Sequence, residues 1–594
     1  MAKFKFLLFV LGLLVCETVS ALSFTIDGIH YTVISGTSTV SVAKNSDGYS
    51  GSLTIPSKVT YNSITYDVVS IGKDAFYENK DLITVSLPKT IVTIEASAFA
   101  LSGLQSLVMP NSVLEIKDAA FSGCSSLISI TLSHNLKTIG TGAFRNCTAI
   151  TEISIPKSVT DIGLIILNGC TKLKKVTFNC PQVYESCKEM TSIEEIVLGD
   201  GVETVMANAF QNCTGLSSLV IGNTVNSIEM YAFDGCSKLT KLTLGNGVKS
   251  IGSFAFAKCE NLKEVYVPQY ANINITAFTL CNNIEKVVTD AEYVNECFND
   301  LPSLKEVVFG DKVKTIGATA FHSCTGLTSL KIGKNVTEIQ YDAFNGCTGL
   351  KTIDLGEKLE TIGTGAFREC TGITSVMIPA SVNKIKDAAF ENAKIGSVTF
   401  ADGNGKLDIS FESYEKHPFS GCPIESLYIG RDLSGLNGNF SSFSSLKSVI
   451  FGNLVTSAPP LAFYDCGSLE TVVFGENVSS IGGSAFAKCD NVKSITVHNP
   501  EPPTADYFST TIQDNAKLIV PTGSIEKYKQ AVPWKYFKNI VEQGEPSGIT
   551  QLHFDNEGQT SRVYMIDGRI SNNYSRGLVI LKEANEKTRK ILVR

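Results

Sequence analysis

The sequence predicts a repeat solenoid of the parallel-strand kind, with strands joined by short loops and 3-10 or helical turns. It holds about twenty repeats of 22–23 residues and a cap at each end. Three observations carry this. Fourteen Ala-Phe dipeptides recur along the 594 residues, most of them 22 or 23 residues apart, between Phe76 and Phe486. Most are followed by Cys three residues later. Ahead of each stands an L-x-x-L-x-I stretch closed by Gly or Pro, as in Leu327-Thr-Ser-Leu330-Lys-Ile332-Gly333.

Read in order, the chain opens on a secretion signal over residues 1–21. Lys3 and Lys5 give the positive start, Phe6 to Val15 the apolar stretch, and Val19-Ser20-Ala21 the cleavage site. An apolar run of about ten residues is too short to span a bilayer, so no transmembrane span is expected. Leu13-Leu14-Val15-Cys16 resembles a lipobox, but Val15 stands where Gly, Ala or Ser is needed, which argues against lipidation of Cys16. Residues 22–70 form an N-terminal β cap: Phe24-Thr-Ile-Asp-Gly-Ile-His-Tyr31 alternates as a hairpin does and covers the first open edge.

Residues 71–520 are the repeats. Each L-x-x-L-x-I stretch is a short strand with its apolar side chains turned inward, and Gly or Pro (Gly222, Gly333, Pro156, Pro379) then turns the chain. Val336 and Ile339 give a second inward edge, and Ala343-Phe344 sets a small residue beside a ring, so that Phe side chains stack from copy to copy. Long spacings hide worn copies at Leu167 and near Cys187, Phe298, Phe419, Phe440 and Phe508. One repeat cannot close a core, so stability must come from neighbour interfaces. Residues 521–547 form a helical C-terminal cap in which Trp534, the single Trp, closes the core.

The string I-P/G-x-x-V-x-x-I-G-x-x-A-F-x-x-C-x-x-L, seen from Ile332 through Leu350, is similar to that of the BspA-type leucine-rich repeat family. It differs from the commonest leucine-rich repeats, which place Asn after the strand, so an Asn ladder is not expected. The resemblance implies an exported adhesion or protein-binding scaffold, secreted or held at the cell surface. Its partners would be host matrix proteins or neighbouring cells. Residues 548–594, with Arg562-Val-Tyr-Met-Ile-Asp567-Gly568-Arg569 and a terminal Lys590-Ile-Leu-Val-Arg594, resemble the C-terminal sorting segment of the type IX export system. That implies an outer-membrane-associated location; the other reading is a further capping hairpin.

Sixteen cysteines outlast the signal, thirteen of them at one repeat position. One Cys per copy reads as a ladder of small buried hydrophobes carrying free thiols, since parallel side chains do not face one another as a disulfide requires. No Cys or His cluster has metal-ligand spacing, and no cofactor is expected. No G-x-S-x-G, H-E-x-x-H or P-loop string occurs, so the chain reads as a non-enzyme. His322, two residues from Cys324, reads as a solvated loop residue, and Asp402-Gly-Asn404-Gly-Lys406-Leu407-Asp408 fails as a calcium loop at Lys406 and Leu407. A net charge of −7 disfavours nucleic acid as a partner. The chain is expected to act as a monomer.

The working surface is therefore sought on the strand face, at the residues flanking the second Leu. Candidate partner-binding residues are Val197, Val220, Tyr266, Val288, Val308, Lys331, Tyr428, Ile450 and Val473. Val197 is expected beside Val220, Val288 beside Val308 and Ile450 beside Val473. These rows suit either a sheet simply exposed to solvent or one that docks an extended protein. A glycan-binding surface protein is the alternative; it calls for aromatic pairs on the exposed face, where only Tyr266 and Tyr428 stand, far apart. The insertion from Ala401 to His417 competes as a binding loop.

Overall fold

Each repeat contributes a strand of three or four residues, a two-residue strand and an Ala-Phe turn, and each of these stacks on its counterpart in the next copy. In the computed structural model, residues 22–409, 411, 416–434 and 440–544 are described, together with the backbone of four strands beyond them: Thr550–Leu552, Val563–Met565, Gly577–Lys582 and Thr588–Val593. The expected secretion signal, Cys16 and the side chains of the expected sorting segment lie outside the described residues. The chain divides into two compact units, Met1–Leu262 with Thr276–Leu280, and Lys263–Ile275 with Cys281–Arg594. Parallel-strand turns of about 23 residues fill both, about twenty in all, as predicted.

In the first unit, strands Glu152–Ile155, Lys175–Phe178, Glu195–Leu198 and Ser218–Ile221 pair in parallel without slippage. A second ladder joins Gln182–Val183, Thr204–Val205, Ser227–Ile228 and Ser250–Ile251. The longest first-strand ladder lies in the second unit, eight strands from Ser375–Ile378 to Asn539–Glu542. Alternation along these strands buries the second residue and turns the first and third outward, as in Ser329-Leu330-Lys331. Gly163, in the turn after the second strand, has no room for a side chain: a Cβ there would lie 2.3 Å from the Thr141 amide nitrogen of the preceding copy.

The expected Phe column is present in both units. Phe76, Phe99, Phe121 and Phe144 stack at centroid separations of 4.9, 5.0 and 5.4 Å. In the second unit Phe321, Phe344, Phe367 and Phe390 stack at 5.4, 5.4 and 5.2 Å. The worn copies keep the position: Leu167, Cys187, Phe298, Phe419, Phe440 and Phe508 are all buried. Most of the Phe N–H groups donate to the Ala carbonyl of the next copy, for example Phe344 to Ala366 at 2.8 Å, and Phe144 and Phe390 donate to Ile166 and Pro418 in its place, so this turn is itself a ladder.

The cysteines do more than the sequence suggests. The Phe144 carbonyl accepts one hydrogen bond from the Cys147 amide (3.2 Å) and a second from the Cys170 thiol of the next copy (3.1 Å). The same pairing recurs from Cys147 to Phe121, Cys347 to Phe321, Cys370 to Phe344 and Cys489 to Phe463, at 3.1–3.2 Å. A buried carbonyl has two lone pairs to satisfy, and the thiol supplies the second donor. Expecting a small apolar rung therefore captured the size of the residue and missed its hydrogen bond. All sixteen described cysteines are free and buried. Thiol titration of the denatured, unreduced chain should recover most of the thirteen ladder cysteines; recovery of fewer than half would mean rung-to-rung disulfides.

At the N-terminal end, Ser23–Ile26 and Ile29–Val33 form the anticipated antiparallel hairpin. Phe24 stacks on Tyr61 at 4.3 Å and packs against Tyr31 and Tyr66, while Tyr49 meets Phe76 edge-on at 5.0 Å and ends the column. At the other end Trp534 is buried 5.1 Å from Phe508, and its indole N–H donates to the Pro503 carbonyl at 2.7 Å. An indole needs such a partner once it is taken out of water.

Among the described residues, individual Asn links join some adjacent copies. The side-chain amides of Asn135, Asn335 and Asn477 donate to the carbonyls of Asn111, Asp311 and Asn453 in the preceding copies, at 2.9, 2.9 and 2.7 Å.

Candidate functional site

Strand register decides which outward residues meet. Val197 stands opposite Val220 in the first unit. In the second unit Val288 stands between Tyr266 and Val308. Ile450 stands between Tyr428 and Val473. Each expected pair is thus formed, and both tyrosines turn out to extend an apolar row rather than stand alone. Val220 is 49% exposed and Val308 38%, so part of these rows faces solvent.

The two tyrosines share a local arrangement. The Tyr266 hydroxyl donates to Asp290 at 3.1 Å and the Tyr428 hydroxyl to Asp402 at 2.7 Å. Burial and the Asp290 carboxylate hold the Tyr266 phenol above its ordinary pKa. Both rings are anchored at the tip and lie along the row, which fixes the apolar surface they present.

Charged residues on this face answer each other across adjacent strands. Lys175 pairs with Glu195 at 3.0 Å, Lys286 with Glu306 at 2.9 Å and Lys447 with Glu425 at 3.0 Å. Lys331 lies 3.6 Å from Asp354, its register partner. Such exposed pairs are each worth about 0–1 kcal/mol, so they serve less as stability than as local neutralisation of the face. Lys331 is therefore part of a charge pair and not of an apolar row.

Two exposed residues of the same kind escape the sequence pattern. Val108 (71% exposed) and Met377 (50%) occupy the outward position, but each faces a Thr in the adjacent copy, Thr131 and Thr399. A search for apolar neighbours passes over them for that reason. One stacked aromatic pair off the core column, Tyr231 and Phe254 (5.2 Å, 5° between planes), lies at the Ala-Phe turn and not on the strands. Both residues have positive φ, 58° and 56°, where Asn208 and Gly365 stand in other copies. Their ring faces cover each other, so the pair offers edges rather than a platform.

The insertion is more deeply built in than a surface loop. Leu407 and Ile409 are buried, and Leu407–Asp408 pairs with Leu433–Ser434. Beneath it the buried Arg431 guanidinium donates to the carbonyls of Ala380 (2.6 Å) and Pro379 (3.0 Å). Asp402, the first residue of the rejected calcium string, accepts the Tyr428 hydroxyl. His417 sits in the core, its Nδ1 accepting the Phe419 amide at 3.0 Å with Phe411, Phe440 and Phe443 around it. His322 Nδ1 lies 3.0 Å from the Ser323 hydroxyl, while the Cys324 thiol donates to the Phe298 carbonyl. Among the described residues no group of three or more His, Cys, Asp or Glu is placed to hold a metal ion. No helix among them is long and apolar enough to cross a membrane.

The pattern of the family described as BspA-type leucine-rich repeat region (six copies) matches residues 55–174, 181–295, 291–411 and 412–509. Among solved structures, a leucine-rich repeat protein from Bacteroides ovatus is 29% identical and aligns with 60% of this chain and 95% of its own (TM-score 0.40). A leucine-rich repeat protein from T. pallidum is 21% identical over 41% of this chain and 91% of its own (TM-score 0.26). A leucine-rich cell surface protein from Faecalibacterium prausnitzii is 19% identical over 89% and 97% (TM-score 0.18). No curated protein matches the chain.

Proposed function

The chain belongs to the BspA-type leucine-rich repeat family, and from that premise we propose that it is an exported, non-enzymatic scaffold whose strand face docks an extracellular protein or another cell-surface macromolecule. The family is generally linked to interaction between proteins at surfaces. In this reading residues 1–21 direct export, 22–70 and 521–547 cap the repeats of 71–520, and 548–594 sort the product to the cell surface. The chain acts as a monomer and needs no cofactor.

The observation that supports this reading is the register of the apolar rows, Val197–Val220, Tyr266–Val288–Val308 and Tyr428–Ile450–Val473. Rows of partly exposed apolar side chains flanked by mutually paired charges give an extended partner contact area at little desolvation cost. Affinity is then spread over several copies, because no single aromatic hot spot dominates.

Capture of a panel of extracellular matrix proteins by the full chain tests it. Val197→Asp with Val220→Asp, and Ile450→Asp with Val473→Asp, should each weaken capture at least about tenfold with circular dichroism unchanged, since none of the four side chains belongs to the core. Lys331→Glu should cost far less. Removing the insertion is not a neutral control, because Leu407, Ile409 and Arg431 are buried with it; Asn404→Ala with Lys406→Ala alters only its exposed tip. Loss of capture with the tip variant, and retention with both row variants, would move the site to the insertion.

A further inference from the structure

The first-strand ladder of the first unit is interrupted once before Glu152–Ile155: Ser106–Val108 pairs with Ser129–Thr131, Glu152–Ile155 pairs with Lys175–Phe178, and no ladder joins the two sets. Over this seam lies a dish of about 570 Å³ on the strand face. Its floor is the strand segments around Ile130 and Ile153, whose own side chains are buried, and its wall is the row of turns carrying His134, Pro156-Lys157, Asn179 and Asp200-Gly201. The hydroxyls of Thr131, Ser154 and Thr177 line it in three successive copies.

Several of its polar groups are unused. The neighbouring strands have Lys174 paired with Glu194 and Lys175 with Glu195. In the dish, the side chains of Glu152, Lys157 and Asp200 and the hydroxyls of Thr131, Ser154 and Thr177 have no hydrogen-bond or ion-pair partner among the described residues. Hydroxyls, two carboxylates and one ammonium thus converge on one concavity within the size range of ligand sites.

We infer that this seam dish binds a short neutral carbohydrate. Both signs of charge are present on its rim, so neither a polyanion nor a polycation is favoured, and its donors and acceptors are of the kind that pair with sugar hydroxyls. Carboxylate acceptors make the stronger bonds to a hydroxyl donor, which gives Glu152 and Asp200 the leading roles and the Thr and Ser hydroxyls supporting ones. No Phe, Tyr or Trp lines the dish, so recognition there rests on these hydrogen bonds and not on the ring stacking that an aromatic glycan site uses. The dish adjoins the first apolar row, since Thr177 stands opposite Val197, although Val197 and Val220 do not themselves line it.

Saturation-transfer NMR on the full chain with maltotriose, mannotriose, triacetylchitotriose and lactose tests the assignment, with a heparin-derived tetrasaccharide and a Gly-Ser hexapeptide as competing probes. At least one neutral sugar should show transfer that falls fivefold or more in Glu152→Ala with Asp200→Ala and about twofold in the near-isosteric Thr177→Val, while Asn404→Ala with Lys406→Ala, in the other unit, leaves it unchanged. Thr177→Val keeps the test decisive if the acidic double variant fails to fold. The inference is overturned by absence of transfer from all four sugars, by transfer that the dish variants do not reduce, or by preferential transfer to the heparin fragment or the peptide.

Discussion

Unfolding on the alkaline side is expected to be steep, beginning near pH 9 and complete by about pH 11, because most of the buried thiols are ionised only in the unfolded chain; the exception is Cys170, whose thiol is lowered by its hydrogen bond with Cys147. Burial pushes the thiols of Cys180, Cys213, Cys370, Cys422, Cys466 and Cys489 up to about 12, and that of Cys124 to about 11, from an ordinary value of 9.0. Below pH 9 both states hold the proton and the ladder contributes its full stability. Above it the unfolded thiol releases its proton while the folded one keeps it, so stability falls by about 1.4 kcal/mol per thiol and pH unit until the folded value is reached. Over two pH units the six thiols near 12 amount to about 16 kcal/mol, against a typical net stability of about 5–15 kcal/mol. Circular dichroism and thiolate absorbance should therefore change in one joint transition. Thiolate absorbance rising near pH 9 with the fold intact, by more than the single thiol of Cys170, would mean that the thiols are not sealed from solvent.

Most of this fold can be read from one strand of text because the period is redundant. The Ala-Phe-x-x-Cys string recurs so often that worn copies such as Leu167 and Cys187 could be placed by spacing alone, and both are in the column. The row pairs were also legible, since a parallel ladder with a constant period puts equivalent positions opposite each other. What escaped depends on geometry that residue types do not reveal. The thiol-to-carbonyl bond of Cys170 to Phe144 needs the exact stagger of adjacent turns, which a list of buried residues does not contain. The seam beside Glu152 is invisible for a different cause: Ser129-Ile-Thr131 and Glu152-Ile-Ser-Ile155 both fit the strand pattern, yet their ladders do not join. The insertion looked like a polar loop because its acidic and Gly residues dominate it, whereas Leu407 and Arg431 decide how it packs.

Phe344→Ala is expected to cost about 3–5 kcal/mol for the lost burial and the cavity left behind, with a further contribution from two ring contacts, each worth about 0.5–1.5 kcal/mol. Phe344 is fully buried, and its ring lies 5.4 Å from both Phe321 and Phe367. In a stacked array a turn is held only by its neighbours, so this loss falls on two interfaces at once and weakens the coupling between the turns on either side. Urea unfolding should therefore lose its single sharp transition in the second unit and show an earlier phase. Phe344→Leu is the informative partner variant: Leu167 holds the same column position in the first unit, so the site tolerates a branched aliphatic chain, and the cost should be closer to about 1.5 kcal/mol. If the Ala variant proved no worse than the Leu variant, ring stacking and cavity formation would not be what couples the turns. The strand ladders alone would then have to hold the array together.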